Sequence, residues 1–245
     1  VYLGAADALM SGQDLYNNFN VGGLPFTYPP FAGAVFIPFD LFPPTAAFAI
    51  WTAVSIAALA GIAWLTAMRL PALVGKELTT KTWELALFIF AIGAFSETVI
   101  KNIELGQVNL VLVLLIMFDT VTKAHYRGFL TGMAAGFKIV PAIFIVFMLV
   151  NRRWGDFGRA LLGFLTTLAI GSFFGIGQVW QFFSVELWDT ARVGAADRLS
   201  NVSLYGALSR WIPDSDPIVL WAVLAVIVAV AGLAIAGLWW NHSRL

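Results

Sequence analysis

PIVLWAVLAVIVAVAGLAIAGLWW, residues 217–240, contains no charged, amide or hydroxyl side chain. It is long enough to cross the hydrocarbon core of a bilayer as a helix, for which about twenty apolar residues suffice. Two more uncharged runs, from about Leu41 to Met68 and from Ala160 to Val185, meet the same test. The chain around them is apolar as well: 60% of its 245 residues are hydrophobic, 11% are charged, and the mean hydropathy is +0.85. A soluble domain is roughly 45 to 50% apolar and about 25% charged. The expected fold class is therefore all-α, a polytopic transmembrane helical bundle.

The chain has no cysteine, which excludes disulfides, thiolate metal sites and cysteine nucleophiles. His125 and His242 are its two histidines, and both lie in or beside short basic segments between spans, which argues against histidine-based hydrolysis or zinc chemistry. The net charge is +0 and the cations are dispersed, so no nucleic-acid footprint is present. A lipidic partner is expected, with no metal and no cofactor.

Further helices are expected at roughly 83–100, 107–119, 128–137 and 139–150. Joined as one span, the last two would set Lys123 and Arg127 on one side and Arg152 and Arg153 on the other, against the Lys/Arg bias of short cytoplasmic loops. A break near Lys138 and Pro141 returns all four to one side, and proline, which removes a helix hydrogen bond, is suited to make it. Halves that short are tolerated only within protein or against a water-filled cavity.

With that break, Arg69, Lys76, Lys81, Lys123, Arg127, Arg152, Arg153, Arg159 and Arg244 lie inside, nine of the fourteen cations. Lys101, Lys138, Arg192, Arg198 and Arg210 lie outside, and each is in or near a polar motif. The apolar stretch Phe31 to Phe42, interrupted by Pro38 and Asp40, is too short to cross and is placed along the outer surface. Residues 184–216 form a second long outer loop, so the outer loops carry short interfacial helices. No internal repeat or linker divides the chain, and residues 1–245 read as one domain. Its start at Val1 and its end just after a span read as a fragment lacking its first helix and C-terminal helices.

Four polar motifs fall on the outer face in this arrangement. Lys138, in a run of apolar residues, is costly unless it faces protein, water or an anion, and a phosphate would satisfy it; the plain alternative is a snorkelling lysine or a pair with Glu97 or Glu104. Gln107 and Asn109, after Gly106 and near Lys101, Asn102 and Glu104, are suited to sugar hydroxyls, or else to interhelical hydrogen bonds of about 0.6 kcal/mol each. Tyr28 is held stiffly by the prolines that follow in Phe26-Thr27-Tyr28-Pro29-Pro30-Phe31, and lines a lipid or sugar groove or anchors at the interface. Asn201, Ser203 and Arg210 share the second loop with Arg192 and Arg198. Their guanidinium forks fit phosphate oxygens, or meet lipid headgroups as a solvated loop.

Taken together, Gly12-Gln13-Asp14-Leu15-Tyr16, Tyr28-Pro29-Pro30-Phe31, Gly106-Gln107-Val108-Asn109, Lys138-Ile139-Val140-Pro141 followed by Arg152-Arg153-Trp154, and Asn201-Val202-Ser203-Leu204 resemble glycosyltransferase family 87 of the GT-C superfamily. The resemblance extends over nearly the whole chain and is to its polyprenyl-phosphate-mannose-dependent alpha-1,2-mannosyltransferases of the phosphatidylinositol mannoside type. It implies a plasma-membrane hexosyltransferase with its active site at the outer face, a polyprenyl-phosphate sugar donor and a glycolipid acceptor. It also implies a base carboxylate just ahead of the stretch beginning Val1-Tyr2-Leu3. The family commonly has glutamine where this chain has Val202. In this reading Lys138 and Arg210 stabilise the leaving phosphate, while Gln107, Asn109, Tyr28, Asn201 and Ser203 bind sugar and acceptor. A polyprenyl-lipid transporter or flippase, or a non-catalytic lipid-binding subunit, would use the same cations without releasing free lipid phosphate.

Overall fold

The computed structural model describes residues 1–16, 20–21, 24–74, 80–121, 125–189, 192, 201, 203–212 and 215–242; Lys76, Lys123, Arg198, Val202 and Arg244 lie outside these. In chain order, α1 (Tyr2–Met10) precedes a minimal hairpin of β1 (Asn20–Val21) and β2 (Leu24–Pro25), then α2 (Pro30–Val35) and a 3-10 helix over Ile37–Leu41. α3 (Pro44–Val74), α4 (Thr82–Ala94), α5 (Glu97–Glu104), α6 (Asn109–Val121), α7 (Phe129–Phe137) and α8 (Ala142–Val150) follow. The chain continues through α9 (Trp154–Phe173), α10 (Ile176–Ser184), a 3-10 turn at Glu186–Trp188, α11 (Leu204–Trp211) and α12 (Ile218–His242). The all-helical bundle expected from composition is present.

Among the described residues, two of the three expected spans are helices long and apolar enough to cross a membrane, Pro44–Pro71 of α3 and Ile218–Leu238 of α12. The third differs. Its helix begins earlier, at Trp154, and stops at Phe173; Gly175, with φ 145, turns the chain into α10. L side chains rarely adopt that backbone conformation, and the polar face of α10 is taken up elsewhere: the Leu15 N–H donates to Gln178 Oε1 at 3.1 Å. The helix expected at 83–100 is also two, α4 and α5 bent by 69°. Ser96 starts the second by accepting the Val99 N–H on its hydroxyl at 3.3 Å.

The expected break at Lys138 and Pro141 is present. Lys138 has φ −145 and ψ 129, which ends α7, and Pro141 precedes α8. Among the described residues, α7 and α9 make the most extensive helix contact. A Cβ on Gly132 would lie 1.9 Å from the Ala160 carbonyl oxygen, one on Gly136 1.7 Å from Thr167 Oγ1, and one on Gly163 of α9 2.2 Å from the Phe129 carbonyl oxygen. Only hydrogen fits at these points, the small-residue packing that joins helices where lipid is as apolar as any side chain. Gly132 meets Ala160 and Gly136 meets Thr167, so the two helices run parallel and α8 is the return stroke. Lys138 therefore stands at one end of the pair, and Gly128 and Arg153 at the other. At that second end the buried Asp119 carboxylate of α6 accepts the Gly128 N–H at 2.7 Å and the Thr131 hydroxyl at 2.6 Å, holding the start of α7.

The stretch Phe31 to Phe42, expected on a surface, is split in role. Phe31, Ala32 and Phe36 are buried in the core with Tyr2, Phe26, Trp51 and Phe137, whereas Leu41 and Phe42 are exposed. The double proline explains the placement: Pro29 is extended, with ψ 154, and Pro30 opens α2, where its missing N–H has no helical acceptor to lose.

Candidate substrate site

Three breaks between helices bring four of the singled-out side chains together. The first is the turn from α5 to α6. Gly106, at φ 60, ends α5 in the left-handed conformation, and the Gln107 N–H donates back to the Asn102 carbonyl at 2.7 Å. The Asn102 side chain, itself buried, donates its Nδ2 to the Gln107 carbonyl at 3.1 Å. Gln107 is thus gripped on both sides of its backbone, and its amide projects to receive the Tyr28 hydroxyl on Oε1 at 3.0 Å.

Tyr28 comes from the second break, ahead of α2. Its carbonyl accepts the Tyr16 hydroxyl at 2.8 Å, and its ring lies 5.0 Å from that of Tyr2 and 5.7 Å from that of Phe26. The third break supplies Lys138, whose Nζ donates to Asn109 Oδ1 at 2.9 Å and sits 5.6 Å from the Tyr28 ring centroid. That distance is within reach of a cation–π attraction. Lys138 is half-buried, and burial lowers its ammonium below the ordinary lysine value. Neither suggested carboxylate partner takes it: Glu104 pairs with Lys101 at 2.7 Å, and the hydrogen bond of Lys138 is to Asn109.

Asn201, Ser203 and Arg210 form a second set. The Asn201 side chain accepts the Ser203 N–H at 3.1 Å, Ser203 caps α11 by accepting the Gly206 N–H at 3.1 Å, and Arg210 Nη1 donates to the Asn201 carbonyl at 2.9 Å. These bonds shape the start of α11, which packs on α12, and are distinct from the chain of contacts that joins Tyr28 to Lys138.

Arg192 differs from its reading as a solvated loop arginine. It forms an ion pair with Glu186, donates to the carbonyls of Tyr16 at 3.1 Å and Phe26 at 3.4 Å, and lies over the Tyr16 ring at 5.8 Å. Gln181 of α10 donates to the other Glu186 oxygen at 2.8 Å. The arginine is an internal brace between the segment after α10 and the strap that carries Tyr28. Sequence reasoning also passed over Tyr2, whose phenol is buried beside Tyr28 and pushed strongly upward by that burial. A tyrosine at the start of an alanine-rich helix was the available signal.

The four gathered residues offer a cation, two amides and a phenol, a set suited to holding a phosphate and sugar hydroxyls. Among the described residues, no three His, Asp or Glu side chains gather at metal-binding distance.

No solved structure matches the chain. A polyprenol-phosphate-mannose-dependent alpha-(1-2)-phosphatidylinositol pentamannoside mannosyltransferase of Mycolicibacterium smegmatis is 33% identical over 248 residues, 97% of this chain and 59% of that protein. A polyprenol-phosphate-mannose-dependent alpha-(1-2)-phosphatidylinositol mannoside mannosyltransferase of Mycobacterium tuberculosis is 29% identical over 253 residues, 94% of this chain and 58% of that protein. The chain thus spans less than two thirds of the length of these relatives. The model of glycosyltransferase family 87 matches residues 26–245, a stretch that includes Tyr28, Gln107, Asn109 and Lys138, and the chain belongs to that family.

Proposed function

We propose that this protein transfers a mannosyl group from a polyprenyl phosphate to a hydroxyl of a phosphatidylinositol-mannoside-type glycolipid, at the outer face of the plasma membrane. The reading is supported by the family, by the names of the relatives, and above all by one observation: a half-buried lysine, held by Asn109 and covered by the Tyr28 ring, at the mouth of a broken helix. Lys138 stabilises the charge that grows on the lipid phosphate as its bond to the anomeric carbon breaks. Gln107, Asn109 and Tyr28 orient the sugar. The acceptor oxygen attacks the opposite face of that carbon and loses its proton to a carboxylate base, so configuration inverts; a positioned base contributes roughly 100- to 10,000-fold. Arg210, with Asn201 and Ser203, contacts the donor or acceptor.

Membranes containing the protein, given radiolabelled polyprenyl-phosphate-mannose and a phosphatidylinositol mannoside, should pass label into glycolipid and release free polyprenyl phosphate. Lys138→Ala should abolish both. Label that crosses the bilayer while still attached to polyprenyl phosphate would replace the transferase with a carrier.

A further inference from the structure

A second cationic assembly, unused by the transfer reaction, occupies the end of the α7–α9 pair opposite Lys138. Arg153 and Arg159 both bond the Asp156 carboxylate, Arg159 through Nη2 at 2.5 Å, and Arg159 Nε also donates to the Arg127 carbonyl at 2.7 Å. Asp119, the other carboxylate at this end, is buried and engaged by Gly128 and Thr131. Arg152, exposed and next in the chain to Arg153, adds a third arginine to this end. Tyr126 and Trp154 flank these arginines, each 62% exposed. Such amphipathic rings settle at headgroup depth in a bilayer.

Arg152 contributes an observation that a topology signal does not account for. α8 ends in a Schellman turn, with the Arg152 N–H donating to the Leu149 carbonyl at 3.0 Å and the Arg153 N–H to the Met148 carbonyl at 2.8 Å. The left-handed position of that turn favours glycine, yet it is filled by Arg152 at φ 54, the only non-glycine residue with positive φ among those described. A Cβ is strained there. The strain keeps an exposed guanidinium adjoining the paired Arg153, where a cation one residue earlier or later on a helix would be free of it.

We propose that Arg152 and Arg159, both adjoining the Arg153–Asp156 pair, bind the phosphate of an anionic phospholipid headgroup at the membrane face opposite Lys138. Guanidinium forks match phosphate oxygens, and basic pockets between membrane helices accept anionic headgroups. The flanking Tyr126 and Trp154 place the cluster at the depth of a lipid phosphate, which favours a lipid over a soluble anion. No residue of the Tyr28–Lys138 group takes part, so this site stands independently of the transfer reaction.

The purified protein would be placed in nanodiscs of phosphatidylcholine with and without phosphatidylglycerol, and retained lipid counted by native mass spectrometry alongside a melting curve. Wild type should retain phosphatidylglycerol in preference to phosphatidylcholine. Arg152→Gly should melt higher than wild type in phosphatidylcholine alone, because the left-handed strain is relieved, yet hold phosphatidylglycerol about fivefold less well, the effect of one surface cation. Arg152→Gln should lose the lipid to the same extent without the gain in melting temperature. Equal retention of phosphatidylglycerol by wild type and both variants would overturn the proposal, as would its displacement by inorganic phosphate, which would make this a soluble-anion site.

Discussion

Lys138 is held between opposed influences: burial favours its neutral form, while the side-chain oxygen of Asn109 and the Tyr28 ring favour its charge. Burial prevails, and the folded-state value lies below 10.5. In the proposed role only the ammonium can hold the donor phosphate, so donor binding should be complete below that depressed value and lost as pH rises through it. The alkaline limb of polyprenyl phosphate affinity should therefore fall at a lower pH than a free lysine would give. Lys138→Arg, always charged, should move the limb upward wherever binding survives. The same shift has the opposite sign for stability, because between the two values the unfolded chain binds more protons and the fold gains as pH rises. Tyr28→Phe keeps the ring beside Lys138 but removes the donor to Gln107. A neutral hydrogen bond is worth about 1 kcal/mol, so kcat/KM should fall roughly fivefold, measured with donor varied at fixed acceptor.

At the scale of elements, the glycine contacts of α7 set what the bundle tolerates. Gly136→Val places methyl groups where Thr167 stands, and overpacking of this kind typically costs about 1 to 3 kcal/mol. Thermal melting in detergent should show the loss, with Gly158→Ala, where a Cβ meets open space, as the neutral comparison. The elements were legible in proportion to how local their causes are. α3 and α12 follow from uninterrupted apolar length, and the α7–α8 break from a proline and the charge bias of its flanks. The turn at Gly175 was hidden, because one glycine in an apolar run leaves no compositional mark, and its partners Gln13 and Leu15 lie far away in sequence. The bend at Ser96 was written as a serine cap with Glu97 in the first turn behind it, but it lies at the end of a long apolar run that reads as one helix. Within the site, Tyr28, Gln107, Asn109 and Lys138 were visible as polar interruptions. Their pairing, and the inward turn of Arg192, depend on tertiary contacts that no spacing encodes.

Across the whole molecule, the Glu186–Arg192 pair ties the segment after α10 to the strap before α2. Its side chains are 5% and 16% exposed, and breaking a buried pair by removing one partner costs about 3 to 5 kcal/mol. Arg192→Ala should lower the melting temperature and weaken donor affinity together, since the Tyr16 and Phe26 carbonyls that it holds flank Tyr28. A variant that melts lower with donor affinity unchanged would confine the brace to folding.

The apolar part of α3, Pro44–Pro71, has 28 residues. At 1.5 Å per residue it is about 42 Å long, against a hydrocarbon thickness of about 30 Å. A helix that outruns its bilayer leans or deforms the lipid around it, and a row of aromatic rings connects α3 to the interior. Trp51 of α3 lies 4.6 Å from Phe36, Phe36 stacks on Tyr2 at 4.7 Å, and Tyr2 lies 5.0 Å from Tyr28. A change in that lean would reach the proposed substrate site through these rings, and in liposomes of increasing acyl length the transfer rate should pass through a maximum where hydrophobic mismatch with α3 is least.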